Sequence, residues 1–439
     1  MSQLAVQGGK KVRTKPFPPY NYIQNEEIDA VVRVMKTGKL SGFAARWSDA
    51  FFGGPEVRKL EDVWKESVGA EYAVSVNSAT SGLYAAIGAV GIDPGDEVIV
   101  SPFTMSASAT CALVYNAIPV FADIQDDIFC MSPSSIEERI TPSTKAIVVV
   151  HLFGHPADMD PIMDIAREHN LKVIEDCAQA PLTKYKGRYV GTIGDAGVYS
   201  LNYHKHIHTG EGGIVVTNSH GIYDKLTLIR NHGETASTER NLDDVINILG
   251  FNYRLTEIQA AIGVEQMKRL PGLLKSGFEN AGYIAQKLKD LPGIIPPTIY
   301  DGCDHAYYVH PFKFDEDIVG VSRKVFIDAV VAELPLTDIR NSTGWFLSTD
   351  SAVPLYRQNI YRKKIAFGKH GCPFTCPHYK GAVEYKDGLC PITELMYDKV
   401  LFFHNMHRSP LMKPDLDDLI NAFYKVYESR EQLKRVSNT

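Results

Sequence analysis

Lys205 lies in a polar loop between two apolar runs, five residues after Ser200 and just before Gly210-Glu211-Gly212-Gly213. An amine held between buried strands loses hydration. That disfavours its charged form and frees the neutral amine as a nucleophile toward carbonyls. Schiff-base chemistry is what such a lysine offers; an ordinary surface lysine is the alternative, and the loop alone does not decide between them. Other chemically capable residues follow earlier apolar runs. Asn77-Ser78-Ala79-Thr80-Ser81-Gly82 leads small polar residues into a helix start, where free N–H groups and the positive end of the helix dipole favour an anion. Ser101-Pro102-Phe103-Thr104 carries an aromatic ring, and Glu175-Asp176-Cys177-Ala178-Gln179 carries two carboxylates and an amide. Each has a plainer reading as a helix cap, a core ring or a salt-bridge partner. Their recurrence at the ends of successive runs is the stronger signal.

The elements that must position them alternate. Short apolar runs at 73–76, 97–100, 119–122, 146–150, 173–174, 197–201 and 214–217 are interleaved with helical patterns at 81–90, 106–115 and 159–169. Strands alternating with helices predict βαβ units and a mostly parallel sheet covered on both faces. In such sheets the ligand sits beyond the carboxyl ends of the strands, where the residues above fall. Only the lysine loop separates the last two runs, so that pair is open to an antiparallel arrangement. Upstream, Ile28, Val31, Val32 and Met35 recur at helical spacing over 25–36, and a glycine turn at 53–54 opens a second helix running to about 67. Leu270-Pro271-Gly272 reads as the end of one helix and a hinge into another. The stretch 341–362 reads as a loop or insertion near the site, and 413–435 as a closing amphipathic helix.

Composition bounds the function. The 439 residues suggest two domains. A net charge of −6 with no basic cluster argues against nucleic acid. The apolar runs are too short to span a bilayer, and no secretory h-region opens the chain. Seven scattered cysteines do not make a disulfide framework, and a reducing cytoplasm is the expected compartment. Cys372, Cys376 and Cys390, with His378 nearby, match no tight zinc spacing, so they are read as structural and no metal is expected.

The ordered motifs N-x-A-T-x-G-L, P-F-T, E-D-C-A-Q-A and Y-S-x4-K-x4-G-E-G-G resemble the DegT/DnrJ/EryC1/StrS family of sugar aminotransferases, as do 91–99, 156–160 and 250–257. The similarity runs from about Gly8 to Gly263 and is weaker in the C-terminal third. It implies an α/β fold, that of the PLP-dependent transferases of fold type I. A mostly parallel seven-stranded sheet would form a large domain (51–268), beside a smaller C-terminal α/β domain (269–439). An N-terminal segment (1–50) would pack on the small domain or across a dimer. The resemblance further implies pyridoxal 5′-phosphate as cofactor, held by Lys205 as a Schiff base, with Lys205 also shuttling the proton. Asp176 would pair with the pyridinium nitrogen, Gln179 lie near the ring hydroxyl and Phe103 stack on the ring. Ala79, Thr80, Ser81 and Ser200 would bind the phosphate, and Asn252 would reach the phosphate of a neighbouring subunit, giving a homodimer with composite sites. The family also holds dehydratases with His at the lysine position. Lys205, flanked by His204 and His206, favours amino transfer from glutamate or glutamine to a nucleotide-linked or phosphorylated keto-sugar or a keto-cyclitol. The opening residues 6–16 and the long C-terminal part lean toward the cyclitol branch. His208, Thr209, His305 and Tyr307 are expected on the acceptor side. Two alternatives remain: a non-catalytic cofactor-binding regulator, which no DNA-binding segment supports, and another fold type I enzyme such as a decarboxylase or cysteine desulfurase, against which Gly210-Glu211-Gly212-Gly213 and Asn252-Tyr253-Arg254 argue.

Overall fold

A computed structural model describes residues 3–20, 23–335, 344–350 and 353–434. Each of the seven apolar runs forms a strand: β1 Tyr72–Val76, β2 Glu97–Val100, β3 Ile118–Phe121, β4 Thr144–Val150, β5 Lys172–Asp176, β6 Ala196–Ser200 and β7 Gly213–Thr217. They make one sheet in the order β1-β7-β6-β5-β4-β2-β3. Neighbours from β3 to β6 run parallel, and β7 is antiparallel to both β6 and β1. The lysine loop therefore is the connection of an antiparallel pair, and it emerges where β6 ends.

Strand alternation builds two cores. Ile99, Ile147, Val149 and Val173 point into one buried cluster, whereas Val98, Val100, Ala146, Val148 and Ile174 point into the other. Nearly every residue of these strands is apolar because both pleat faces are covered by helices. Helix Ala79–Ala89 follows β1 and buries Leu83, Ala86 and Ile87 on the second face. The Ser78 side chain accepts from the Ser81 amide and caps it.

A second, four-stranded sheet joins β8 Ile294–Ile295, β9 His310–Phe314, β10 Leu347–Ser348 and β11 Leu401–His404 in the order β8-β9-β11-β10, all antiparallel. Helices Arg323–Ala332 and Lys413–Glu428 cover it, and Leu4 and Phe17 of the N-terminal segment sit in the same cluster.

Four expectations change. Helix Asn25–Thr37 turns Ala30, Val34 and Glu27 inward, while Ile28, Val32 and Met35 are exposed. The inward carboxylate is held by Arg269 and Gln266 of the long helix, which fixes the face that docks. Pro271 does not end a helix, for Glu257–Leu288 is continuous through it. An interior proline costs about 3 kcal/mol in a helix. Here it lies on the exposed side, and burial of Met267, Leu270, Ala281 and Ile284 around it offsets that cost. Of the stretch 341–362, residues 341–343 and 351–352 lie outside the described residues. Leu355, Tyr356 and Tyr361 are not loop-like at all, being buried against Phe121 in the large sheet's core. The closing helix ends at Glu428, and Glu431–Lys434 forms a separate turn.

Candidate active site

A cavity of about 580 Å³ opens at the carboxyl ends of the large sheet's strands, and Ala79, Thr80, Phe103, Asp176, Gln179, Ser200 and Lys205 all line it. These residues come from four different strand-end loops, which is what a parallel sheet's topology provides. The lysine loop is tied to itself by backbone bonds. Leu201 donates to Gly212, Tyr203 to Gly210, Thr209 to Leu201, and Lys205 to Asn202. The Lys205 ammonium nitrogen stands 4.1 Å from the centroid of the Tyr308 ring.

Two adjacent carboxylates at the end of β5 meet opposite fates because the pleat sends them to opposite faces. Glu175, fully buried, accepts from the amides of Gly191, Ile193 and Gly194 and pairs with His151 Nε2 at 3.0 Å. The Ala157 amide donates to His151 Nδ1, so the imidazole proton sits on Nε2 and points at Glu175. Asp176 faces the cavity. Its Oδ2 accepts from Ser108 Oγ at 2.7 Å and its Oδ1 from the Ala178 amide at 3.1 Å. A carboxylate accepts about four hydrogen bonds, so capacity remains toward the cavity.

In the same cavity, the first turn of helix Ala79–Ala89 presents the amides of Ala79 and Thr80, which have no acceptor within the helix. Gly213 lets β7 approach this turn closely, since a Cβ there would lie 2.7 Å from the Ala79 nitrogen. Ser200 supplies a hydroxyl at the same wall. Ser81 does not line the cavity. It is buried, and its hydroxyl bonds Asn77 and Ser78, which makes it part of the cap. Phe103 forms an apolar wall, 2% exposed and edge-on to Phe153. The Phe153 amide donates to Gln179 Oε1 at 2.8 Å, which orients the Gln179 side chain. An amine nucleophile, an anion-holding helix start, an apolar plate and a carboxylate in one cavity match the donor set of a phosphorylated pyridinium aldehyde.

The acceptor-side expectations fare differently, and none of the four residues lines the cavity. The Gly210 amide donates to His208 Nδ1, and the Thr209 hydroxyl donates to the Glu211 carbonyl, so both shape the lysine loop. The His305 and Tyr307 rings stack at 3.7 Å inside a buried histidine-rich layer, with Tyr307 at φ +50°. That left-handed residue resets the alternation, so Tyr308 faces the cavity instead. Asn252 is exposed, and its carbonyl accepts from the Asn77 amide group. Also missed in the sequence were Ser108, Leu152, Phe346 and Phe403. Ser108 sits one turn after Thr104 at a helix start, a visible signal. The others arrive from distant segments without a motif.

The two histidines beside the lysine differ from it. Burial, and then the Lys205 and Arg408 cations, push His204 below its ordinary range. Burial pushes the interior His206 well down, and its Nε2 donates to the Ala306 carbonyl. Both rings are therefore neutral near pH 7.

The model of the DegT/DnrJ/EryC1/StrS aminotransferase family matches residues 22–359. The chain is similar to the L-glutamine:2-deoxy-scyllo-inosose aminotransferase of Streptoalloteichus tenebrarius, at 31% identity over 98% of this chain and 99% of that protein. It is also similar to the GDP-perosamine synthase of Escherichia coli O157:H7, at 40% identity over 54% of this chain and 64% of that protein. Among solved structures, the aminotransferase from Psychrobacter cryohalolentis superposes with a TM-score of 0.77 at 29% identity, covering 94% of this chain and 99% of that one.

Proposed function

The chain belongs to the DegT/DnrJ/EryC1/StrS aminotransferase family, and from that premise we propose that its cavity binds pyridoxal 5′-phosphate and aminates a keto-cyclitol or keto-sugar at the expense of glutamate or glutamine. The observation that carries this reading is the meeting of Lys205, Asp176 and the first turn of helix Ala79–Ala89 in one cavity. When bound, pyridoxal phosphate supplies an aldehyde for amines and a ring that takes up the electrons left as a Cα proton departs.

The chain's own residues do the rest. Lys205 Nζ would hold the cofactor covalently until the donor's amine displaces it, and the freed amine would then accept the Cα proton of the amino donor. In the second half of the ping-pong cycle it returns a proton to the carbon being aminated. Asp176, anchored by Ser108 and the Ala178 amide, holds the proton on the ring nitrogen. The Ala79 and Thr80 amides and Ser200 would hold the phosphate, Phe103 would cover one ring face and Gln179 would reach the ring hydroxyl. With His204 and His206 neutral, Lys205 is the cationic or nucleophilic group of the loop.

The extent of similarity to two of the relatives supports one acceptor class over the other. An inosose aminotransferase matches essentially end to end, whereas the nucleotide-sugar enzyme matches about half of the chain. This favours a keto-cyclitol, met on the polar wall of Asn202, His204 and Glu211. A homodimer with Asn252 lent to the neighbouring site is supported by exposed Asn252 and by the uncovered Ile28, Val32 and Met35. The cytoplasm is the proposed compartment. No helix among the described residues is long and apolar enough to cross a membrane, and the seven cysteines are unpaired.

Borohydride treatment of the purified, yellow protein should bleach it and leave the label on Lys205 by peptide mapping. Lys205→Ala should abolish amino transfer from glutamine or glutamate to a panel of inososes and keto-sugars. Steady-state transamination by that variant overturns the reading.

A further inference from the structure

The Lys205 loop is gripped from outside by a residue that no sequence motif touches. Arg408, 6% exposed, follows β11 in the small sheet. One guanidinium nitrogen donates to the His204 carbonyl at 3.0 Å and to the Tyr20 hydroxyl at 2.7 Å. The other donates to the Tyr308 carbonyl. The Tyr20 hydroxyl in turn donates to the Lys205 carbonyl at 3.2 Å. One planar fork thus binds the backbone carbonyls on both sides of Lys205, that of His204 directly and that of Lys205 through Tyr20, together with the carbonyl of the residue whose ring lies beneath the Lys205 amine. A planar guanidinium reaches several acceptors with little loss of freedom per bond, which a lysine ammonium does not.

Tyr20 is itself held. Its ring stands edge-on to Trp345 at 5.3 Å, and the Trp345 indole donates to the Pro18 carbonyl. Three separate parts of the chain therefore converge on the reactive loop: the N-terminal segment, the approach to β9 and the turn after β11. The Arg408 charge also helps keep His204, His206 and His407 neutral, after burial as the main cause.

We infer that Arg408, acting with Tyr20, is the positioning residue that fixes the Lys205 backbone and sets its amine over Tyr308. The inference rests on Lys205 being the reactive amine. It makes competence of the site depend on the small sheet and the N-terminal segment being docked, since the anchor and its relay come from there. A 1 Å displacement of a reacting group is worth about a hundredfold in rate.

The test compares Arg408→Lys, which keeps the charge and loses the fork, with Tyr20→Phe, which removes one hydroxyl from a partly exposed ring. In the cofactor-free protein, reductive methylation of Lys205, followed by mass spectrometry, should speed up in both variants and more in Arg408→Lys, with exposed Lys186 unchanged as the internal control. In the loaded enzyme kcat should fall about tenfold to a hundredfold in Arg408→Lys and less in Tyr20→Phe, with KM for the amino donor near wild type. The deuterium isotope effect with Cα-deuterated donor should rise, because proton transfer becomes limiting. Wild-type labelling of Lys205 in both variants overturns the inference, whatever the activity. If Lys205→Ala itself turns over, the functional reading fails; if it is inactive while the Arg408 and Tyr20 variants match wild type, this inference alone fails.

Discussion

Glu175 and Asp176 are neighbours in sequence and occupy two different kinds of place. The Glu175 side of the sheet is closed: three amides and an imidazole saturate the carboxylate, and nothing remains for a ligand. The Asp176 side is open, with a hydroxyl and one amide bonded and the rest of the carboxylate turned to the cavity. The difference teaches that a buried acid is structural or chemical according to how completely the chain satisfies it. One step along a pleated strand decides which.

The contrast is broken most forcefully on the closed side. Glu175→Ala strands the His151 donor and three amides in the interior, and removing one partner of a buried charged network costs about 3–5 kcal/mol. Urea unfolding should show that loss, and a midpoint equal to wild type would remove the structural assignment. On the open side Asp176→Asn should leave the unfolding midpoint close to wild type and lower kcat by about a hundredfold to a thousandfold, the scale for removing one preorganised electrostatic group. Equal losses of stability in the two variants would erase the distinction.

The smallest effect is a pH slope near the closed side. Burial, with His151 adding to it, pushes His155 down to about 4. The unfolded imidazole takes its proton near 6.5. Between those values the unfolded chain binds more protons than the folded one, so the stability from neutral His155 is full above about pH 6.5, is lost as pH falls toward about 4, and changes no further below. Unfolding midpoints measured from pH 7.5 to 4 should fall less steeply in His155→Gln than in wild type, and parallel slopes would assign the acid sensitivity elsewhere.

What could be read in the sequence was local. Seven strands, the helix starts after them and the cavity at their carboxyl ends follow from alternation of apolar runs, and Lys205, Asp176, Phe103 and Gln179 fall where strand ends put them. What could not be read depends on partners far away or on a single dihedral. Tyr307 in a left-handed conformation hands the cavity to Tyr308, and no periodicity announces that. Helix Asn25–Thr37 docks through a buried glutamate because Arg269 and Gln266 wait for it, so its most apolar stripe faces outward. Arg408 meets Tyr20 across 388 residues, and neither belongs to a motif.

The long helix Glu257–Leu288 is a shaft shared by two cores. Ala260, Val264, Met267 and Leu270 belong to the large sheet's cluster, and Ile284 and Leu288 to the small sheet's. The border expected between 268 and 269 therefore cuts a single rod, and separating the chain there would leave each half with an unpaired stub. The same rod transmits any hinging between the sheets. Its one interior proline, Pro271, lies between the two sets of core residues, where the ring removes one backbone bond.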